Sequence, residues 1–228
     1  INMLTRLPEK YGDSLKVVVD FEAAADKLSD IKGTLFIEGK NVKLHGLAST
    51  YLPFDIKMTA GSADFKVWSQ WQQAKLISVK GDAQLRHAAF FRSGKGSFPV
   101  NHLDAQFDGQ IKDQQWFLDI NRFMLETAGE NKKSSTKWPD AVISMAGEKA
   151  ADTGFQKLKL FAKQLDLAEA SKLAQFFAPL TEEQTQLLGQ AKISGNIRQF
   201  SLYAEPELKS FAIAGWFDAI SIEPILAK

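Results

Sequence analysis

Cysteine is absent from this chain of 228 residues, which excludes disulfides, thiolate metal sites and a cysteine nucleophile. Charge of one sign is missing too: 28 Lys and Arg stand against 27 Asp and Glu, a net charge of +1. Without a positive field to attract phosphates, nucleic acid is not an expected partner. No run approaches the ~18 apolar residues of a membrane-spanning helix. The longest apolar run near the end, residues 211–217, is strand-sized. Tyrosine is scarce, 3 residues beside 17 Phe and 5 Trp. Most ring surface therefore lacks a polar handle and must fill an interior or line a surface meant for an apolar ligand.

What is present is a folded composition, 45% hydrophobic and 24% charged, with period-two alternation through most of its length. Leu15, Val17, Val19 and Phe21 share one strand face. Over 76–86, Ile77, Val79, Gly81, Ala83 and Leu85 alternate with Ser78, Lys80, Asp82, Gln84 and Arg86. The pattern returns over 102–112, where Leu103, Ala105, Phe107, Gly109 and Ile111 oppose His102, Asp104, Gln106, Asp108, Gln110 and Lys112. Trp116, Leu118 and Ile120 continue it, and the apolar set then moves to Phe123 and Leu125. That slip of parity predicts a bulge at Asn121-Arg122. Further strands fit 31–38, 41–47, 53–59, 63–71, 140–147, 154–163, 190–204 and 208–222, with turns at 38–41, 93–97, 129–134 and Glu205-Pro206. Glycine recurring on apolar strand faces, as at Gly33, Gly81, Gly109, Gly195 and Gly215, points to a curved sheet.

One section departs from this rhythm. From Asp166, residues Leu167, Ala170, Leu173, Ala174 and Phe177 recur at helical spacing after a capping-box-like Asp166/Glu169 pair, and Pro179 ends the run. Thr181-Glu-Glu-Gln184 opens a second, shorter helix ending near Gly189. The acidic Glu182-Glu183 pair and the near-neutral chain favour a helix pair packed on a sheet over a DNA-reading helix-turn-helix.

Catalytic chemistry finds little footing. His45, His87 and His102 stand singly at polar strand positions, with none of the spacings that assemble a metal site. Residues 93–97, Ser-Gly-Lys-Gly-Ser, lack the spacing and the following helix of a phosphate loop and read as a hairpin tip. Asp104 and Asp108 share a strand face but sit in a mixed polar stripe. The lysines of residues 131–137 read as a solvated loop. No enzyme activity, cofactor or metal is expected.

The run Leu158-Lys-Leu160 … Leu165-Asp-Leu167-Ala-Glu-Ala-Ser-Lys-Leu173, the segment from Gly189 through Gly195 to Arg198, and Phe211-Ala-Ile-Ala-Gly215-Trp-Phe-Asp-Ala-Ile-Ser-Ile-Glu-Pro224 together resemble the AsmA-like envelope proteins, most closely the YhdP type. So do Trp-bearing amphipathic strands such as 115–125. The resemblance carries no catalytic motif. It implies a Gram-negative periplasmic protein, anchored in the inner membrane, whose curved sheet conducts phospholipid toward the outer membrane. On that reading the chain, which opens at Ile1 with no signal-like segment, is an internal piece lacking the anchor.

The expected fold is mainly β: one β-rich segment over 1–228, a long, curved, largely antiparallel amphipathic sheet, as an open groove or a sandwich, with a helical pair near 166–189. Candidate lining residues for acyl chains are Val17, Val19, Phe21, Ile77, Val79, Leu85, Leu103, Phe107, Ile111, Trp116, Leu118, Ile120, Ile193 and Ile213. Expected partners are phospholipid acyl chains, flanking segments of the same protein and other envelope proteins. The alternatives are a structural module of the envelope that carries no lipid and, more remotely, a carbohydrate-active β-sandwich.

Overall fold

The structure, a computed structural model, describes residues 1–24, 27–44, 51–52, 56–128, 135–149, 155–178, 180–205 and 210–222. His45, Pro179, the turn at 129–134 and the residues after Glu205 up to 209 lie outside them.

Among the described residues, alternation is realised as twelve strands in a single sheet. In chain order these are β1 (Asn2–Arg6), β2 (Ser14–Ala24), β3 (Lys27–Lys43), β4 (Tyr51–Leu52), β5 (Ile56–Gln72), β6 (Lys75–Arg92), β7 (Gly96–Lys112), β8 (Gln115–Ala128), β9 (Ser135–Lys149) and β10 (Phe155–Asp166). Helices α1 (Leu167–Phe177) and α2 (Glu182–Gln190) follow, then β11 (Ile193–Glu205) and β12 (Ser210–Ile222). Eleven strands pair antiparallel with their neighbours along one path, and two-residue β4 pairs β5 beside it. The path is open: β1 and β12 are its two edges.

The strands are longer than alternation alone indicates. β6 has 18 residues, nearly 60 Å at about 3.3 Å per residue. The expected turn at 38–41 is a bulge instead, because Gly39 pairs with Phe65 and Val42 with Ala63 while Asn41 takes φ 46°. The Asn41 amide donates to Asp64 Oδ1 at 2.6 Å, and Arg86 holds the other Asp64 oxygen at 2.5 Å. The strand therefore continues where its polar sequence reads as a turn. In the same way the described part of 53–59, from Ile56, and 63–71 merge into β5 across Gly61, whose φ of 113° would strain any side chain. Its position lies against the Ala88 backbone. At His87, φ 49°, the inward set of β6 changes parity from Leu85 to Ala88 and Phe90. The bulge expected in β8 is present: Arg122 pairs with Gln106, Ile120 with Phe107, and Asn121 is the extra residue. β5 and β6 are joined by Gln73 and Ala74, both at positive φ (52° and 55°), the twist a two-residue hairpin demands even without glycine.

Helix α1 lies on one face of this sheet. Asp166 caps its N-terminus by accepting from the Glu169 amide, and Thr181 and Gln184 form a full capping box on α2. Phe176, 6% exposed, packs into a cluster with Ile56, Ala88, Phe90, Val100 and Leu125, flanked by Ile143 and Leu165. Those residues come from β5 through β10. Flat strands at about 4.8 Å spacing would spread six of them over roughly 24 Å, more than the ~10 Å width of a helix. The sheet therefore curls around α1, and the helix marks its concave side.

Candidate functional site

The register lets the concave face be read row by row. One row runs Met3, Val17, Ile37, Val67, Gly81, Phe107, Ile120, Ile143, Ala162 and Phe200, each opposite the next on the neighbouring strand. The adjacent row runs Val19, Leu35, Ser69, Val79, Gly109, Leu118, Met145, Leu160, Leu202 and Ile213. Ser69 is the single polar residue in the two rows, and its hydroxyl donates to Leu35 O and accepts from the Trp71 indole.

Of the fourteen sequence-predicted lining residues, Val17, Val19, Val79, Phe107, Leu118, Ile120 and Ile213 fall within these rows. Leu85 and Leu103 face each other one step toward α1, in line with Leu125. Ile111 pairs with Trp116 at the opposite end, and Phe21 with Gly33 near the β2 edge. Two stand apart. Ile77 falls in a register shift between Gln70↔Ser78 and Trp71↔Leu76, and it lines a depression together with Trp68, Gln70, Lys80 and Asp108. Ile193 begins β11 opposite Ile222, beyond the irregularity at Gly195.

Away from α1 most residues of the rows are only partly buried. Val17, Val19, Val79, Phe107, Trp116, Leu118 and Ile120 are half-buried, whereas residues beneath the helix, such as Val100 at 2%, are sealed. Phe21 (42%), Ile111 (41%) and Ile213 (52%) are exposed outright. The inner face of each sheet in a packed sandwich is buried, whereas here the apolar face is left partly open, so of the two expected architectures the open groove is the one present. Glycines shape its floor. A side chain at Gly147 would meet the Trp116 ring at 2.5 Å, and one at Gly39 the Phe65 ring at 2.5 Å. Each ring lies over a bare backbone, which pins register and permits curvature.

At one end α1 roofs the groove over an open-sided cavity of ≈ 560 Å³. Its floor is Phe90, Leu103, Phe123, Ile143 and Leu160 among others; its roof is Leu173, Ala174, Phe177 and Ala178. Every lining residue is apolar. The roof is fastened by the hairpin tip at 93–97. Arg92 Nη1 donates to Phe176 O at 2.6 Å and Ala178 O at 2.8 Å; Lys95 Nζ donates to Gln175 O and, at 3.2 Å, to Thr185 Oγ1. These are the carbonyls a helix C-terminus leaves unpaired, at its negative end. α1 has no basic residue in its own last turn; the cations come from eighty residues away. Burial and the neighbouring Arg92 charge push the Lys95 pKa down. Sequence reasoning took this tip as a bare loop, because nothing local couples it to 175–178.

The opposite face is largely the wet one expected. Lys16, Glu38, Lys66 and Asp82 alternate in sign across three ladders. Asp104 is held by Arg122 at 2.9 Å and approached by Gln84, while Asp108 lies opposite Lys80 and Asp119. The two carboxylates thus sit in an outer polar stripe. No group of three or more potential metal-ligating side chains occurs among the described residues. One departure is a second depression of ≈ 450 Å³, where Phe117 (44% exposed), Phe161 (37%), Tyr203 and Ala212 meet beside Lys159. Simple alternation assigns Phe117 to the wet face and so overlooks it.

In comparisons with known proteins, a family profile described as YhdP protein matches residues 3–226. No curated protein and no solved structure matches this chain.

Proposed function

Since this chain belongs to the YhdP family, we propose that it is a lipid-handling segment of the bacterial envelope, its concave apolar trough holding phospholipid acyl chains while headgroups remain in water at the open side. The observation that carries this reading is two rows crossing ten strands each, apolar but for Ser69, most of whose residues away from α1 are left half-exposed in a single-layer sheet. An exposed apolar surface of that extent marks a binding face. Each methylene laid on it contributes about 0.8 kcal/mol, and the near absence of polar groups in the rows leaves nothing to fix a chain at one place, which favours sliding.

The proposal places the chain in the periplasm, as part of a protein anchored elsewhere in the inner membrane. No helix among the described residues is long and apolar enough to cross a membrane. Flanking segments of the same protein are the partners proposed for the sheet edges. β12 presents Phe211 at 73% and Trp216 at 67% exposure, β1 presents Leu4 at 72%, and free edges pair with added strands. That same exposure favours a second reading, a structural envelope module whose apolar surfaces meet protein only. No catalytic role is proposed.

Photocrosslinking probes at Phe107 and Leu118 in cells test this. Phospholipid recovered from both positions, and from neither Lys80 nor Gln106 on the opposite face, is the expected result. Protein crosslinks alone would establish the structural reading instead.

A further inference from the structure

We propose that the roofed end of the trough is a holding site for one anionic lipid tail and head, with the tail in the apolar cavity under α1 and the anionic headgroup bound by Arg92 and Lys95. This rests on the lipid reading of the trough and adds a place where sliding stops.

Three observations meet there. The cavity, ≈ 560 Å³, lies within the size range of small-molecule sites, roughly 300–1,000 Å³. It offers no polar group, so only a hydrocarbon portion suits it. Ala178 lines the cavity, and its carbonyl accepts from Arg92, so the guanidinium stands at the cavity rim. Lys95 follows three residues on, bonded to a carbonyl and a hydroxyl of the same helical pair.

Those acceptors are neutral. Among the described residues neither cation belongs to an ion pair, whereas Arg86, on the same strand as Arg92, is paired with Asp64 across the ladder. Two adjacent cations with no counter-charge among the described residues repel each other. An anion between them relieves that repulsion and forms charge-assisted hydrogen bonds with guanidinium N–H groups not used on the helix. Access is open, since nothing lies within 4 Å of the space a side chain would take at Gly94 or Gly96. Capping α1 and binding a headgroup are compatible roles: an arriving anion would tie head, hairpin and helix roof together.

The test uses the whole protein with vesicles of equal parts phosphatidylglycerol, which is anionic, and phosphatidylcholine, which is zwitterionic. p-Benzoylphenylalanine replaces Phe98 in the cavity or Phe107 in the open trough, and captured lipid is identified by mass spectrometry. At Phe98 phosphatidylglycerol should be captured about threefold over phosphatidylcholine, the size of one part-exposed ion pair; at Phe107 the ratio should be near unity. R92Q with K95Q should erase the preference at Phe98 and leave capture at Phe107 unchanged.

Equal capture at Phe98 in the parent protein, or a preference that survives the double substitution, overturns the proposal. Should the double variant lose all capture at Phe98 because α1 detaches, R92K with K95R, which keeps both charges, decides: a retained preference supports the site and a lost one overturns it. Inorganic phosphate that abolishes the preference but not the capture supports a headgroup contact. Phosphate that prevents all capture at Phe98 assigns the cations to free phosphate and overturns the lipid site. Lipid at Phe107 without lipid at Phe98 removes this site alone, whereas none at either removes the trough reading as well.

Discussion

Glycine placed under an aromatic ring is the residue-scale device that this sheet uses repeatedly. At Gly147 a Cβ would stand 2.5 Å from Trp116 ring atoms, so the ring lies where a side chain would otherwise be. Gly147→Val should cost about 1–3 kcal/mol through overpacking, and Trp116→Ala in the same chain should return part of that loss; urea unfolding of the three variants measures the coupling. Asp64 is the other residue with a sharp expectation. Burial raises its carboxyl pKa, but the Asn41 amide and the Arg86 guanidinium together outweigh it and hold the carboxyl below its ordinary value of 3.8. A carboxylate lowered in the native state stabilises fully above its unfolded pKa, and that contribution is lost as pH falls through the native value. Asp64→Asn should therefore lower stability by about 1 kcal/mol at neutral pH, the size of a part-exposed pair. The gap to the parent should narrow as pH drops below 3.8, which denaturation at several pH values would record. The ring surplus was legible in composition; that glycines lie beneath those rings was visible only as glycines on apolar faces, since cross-strand partners are set by register.

At the scale of elements, amphipathic periodicity located most strands and both helices, and capping residues marked where the helices start. Thr181 caps α2 through its hydroxyl, and Thr181→Ala should cost about 1 kcal/mol. In hydrogen exchange the loss should appear as faster exchange across 182–190 with the sheet unaffected, because α2 has no fully buried residue. α1 is different: Phe176 is packed against Phe98 and Phe177 with ring centroids 5.2 and 4.9 Å away. Phe176→Ala should cost roughly 3 kcal/mol and raise exchange in α1 and in the 90–98 hairpin together, since the two are one packed unit. Element boundaries were less legible than elements. The polar stretch at 38–41 has turn composition, but Asp64 on the neighbouring strand supplies the hydrogen bond that lets the chain bulge and go on.

For the whole molecule, the arrangement that matters is one curved sheet with two faces of opposite character. A charge on the concave rows should block lipid, since a carboxylate there can neither stay hydrated under a chain nor find a partner. Phe107→Asp should reduce phospholipid crosslinking from Leu118 about tenfold, whereas Gln106→Lys, one residue away on the outer face, should leave it unchanged; capture yields of the two variants compare them directly. The sheet edges follow the same logic. Apart from two-residue β4, each strand pairs with its neighbours in sequence, so the curl grows strand by strand and nothing in the pattern closes it.

The sequence by itself determined which residues share a face, because period two is a local property of extended backbone that neighbouring strands need not supply. It determined the absence of thiol chemistry, the near-balance of charge and the helical interruption. Whether the apolar face was a sealed core or an open trough was decided only by tertiary structure, because burial depends on what lies above a surface, and α1 covers one end of it alone. The same holds for Arg92 and Lys95. Their place at the end of α1 comes from the sheet's curl, which brings together segments eighty residues apart in the chain.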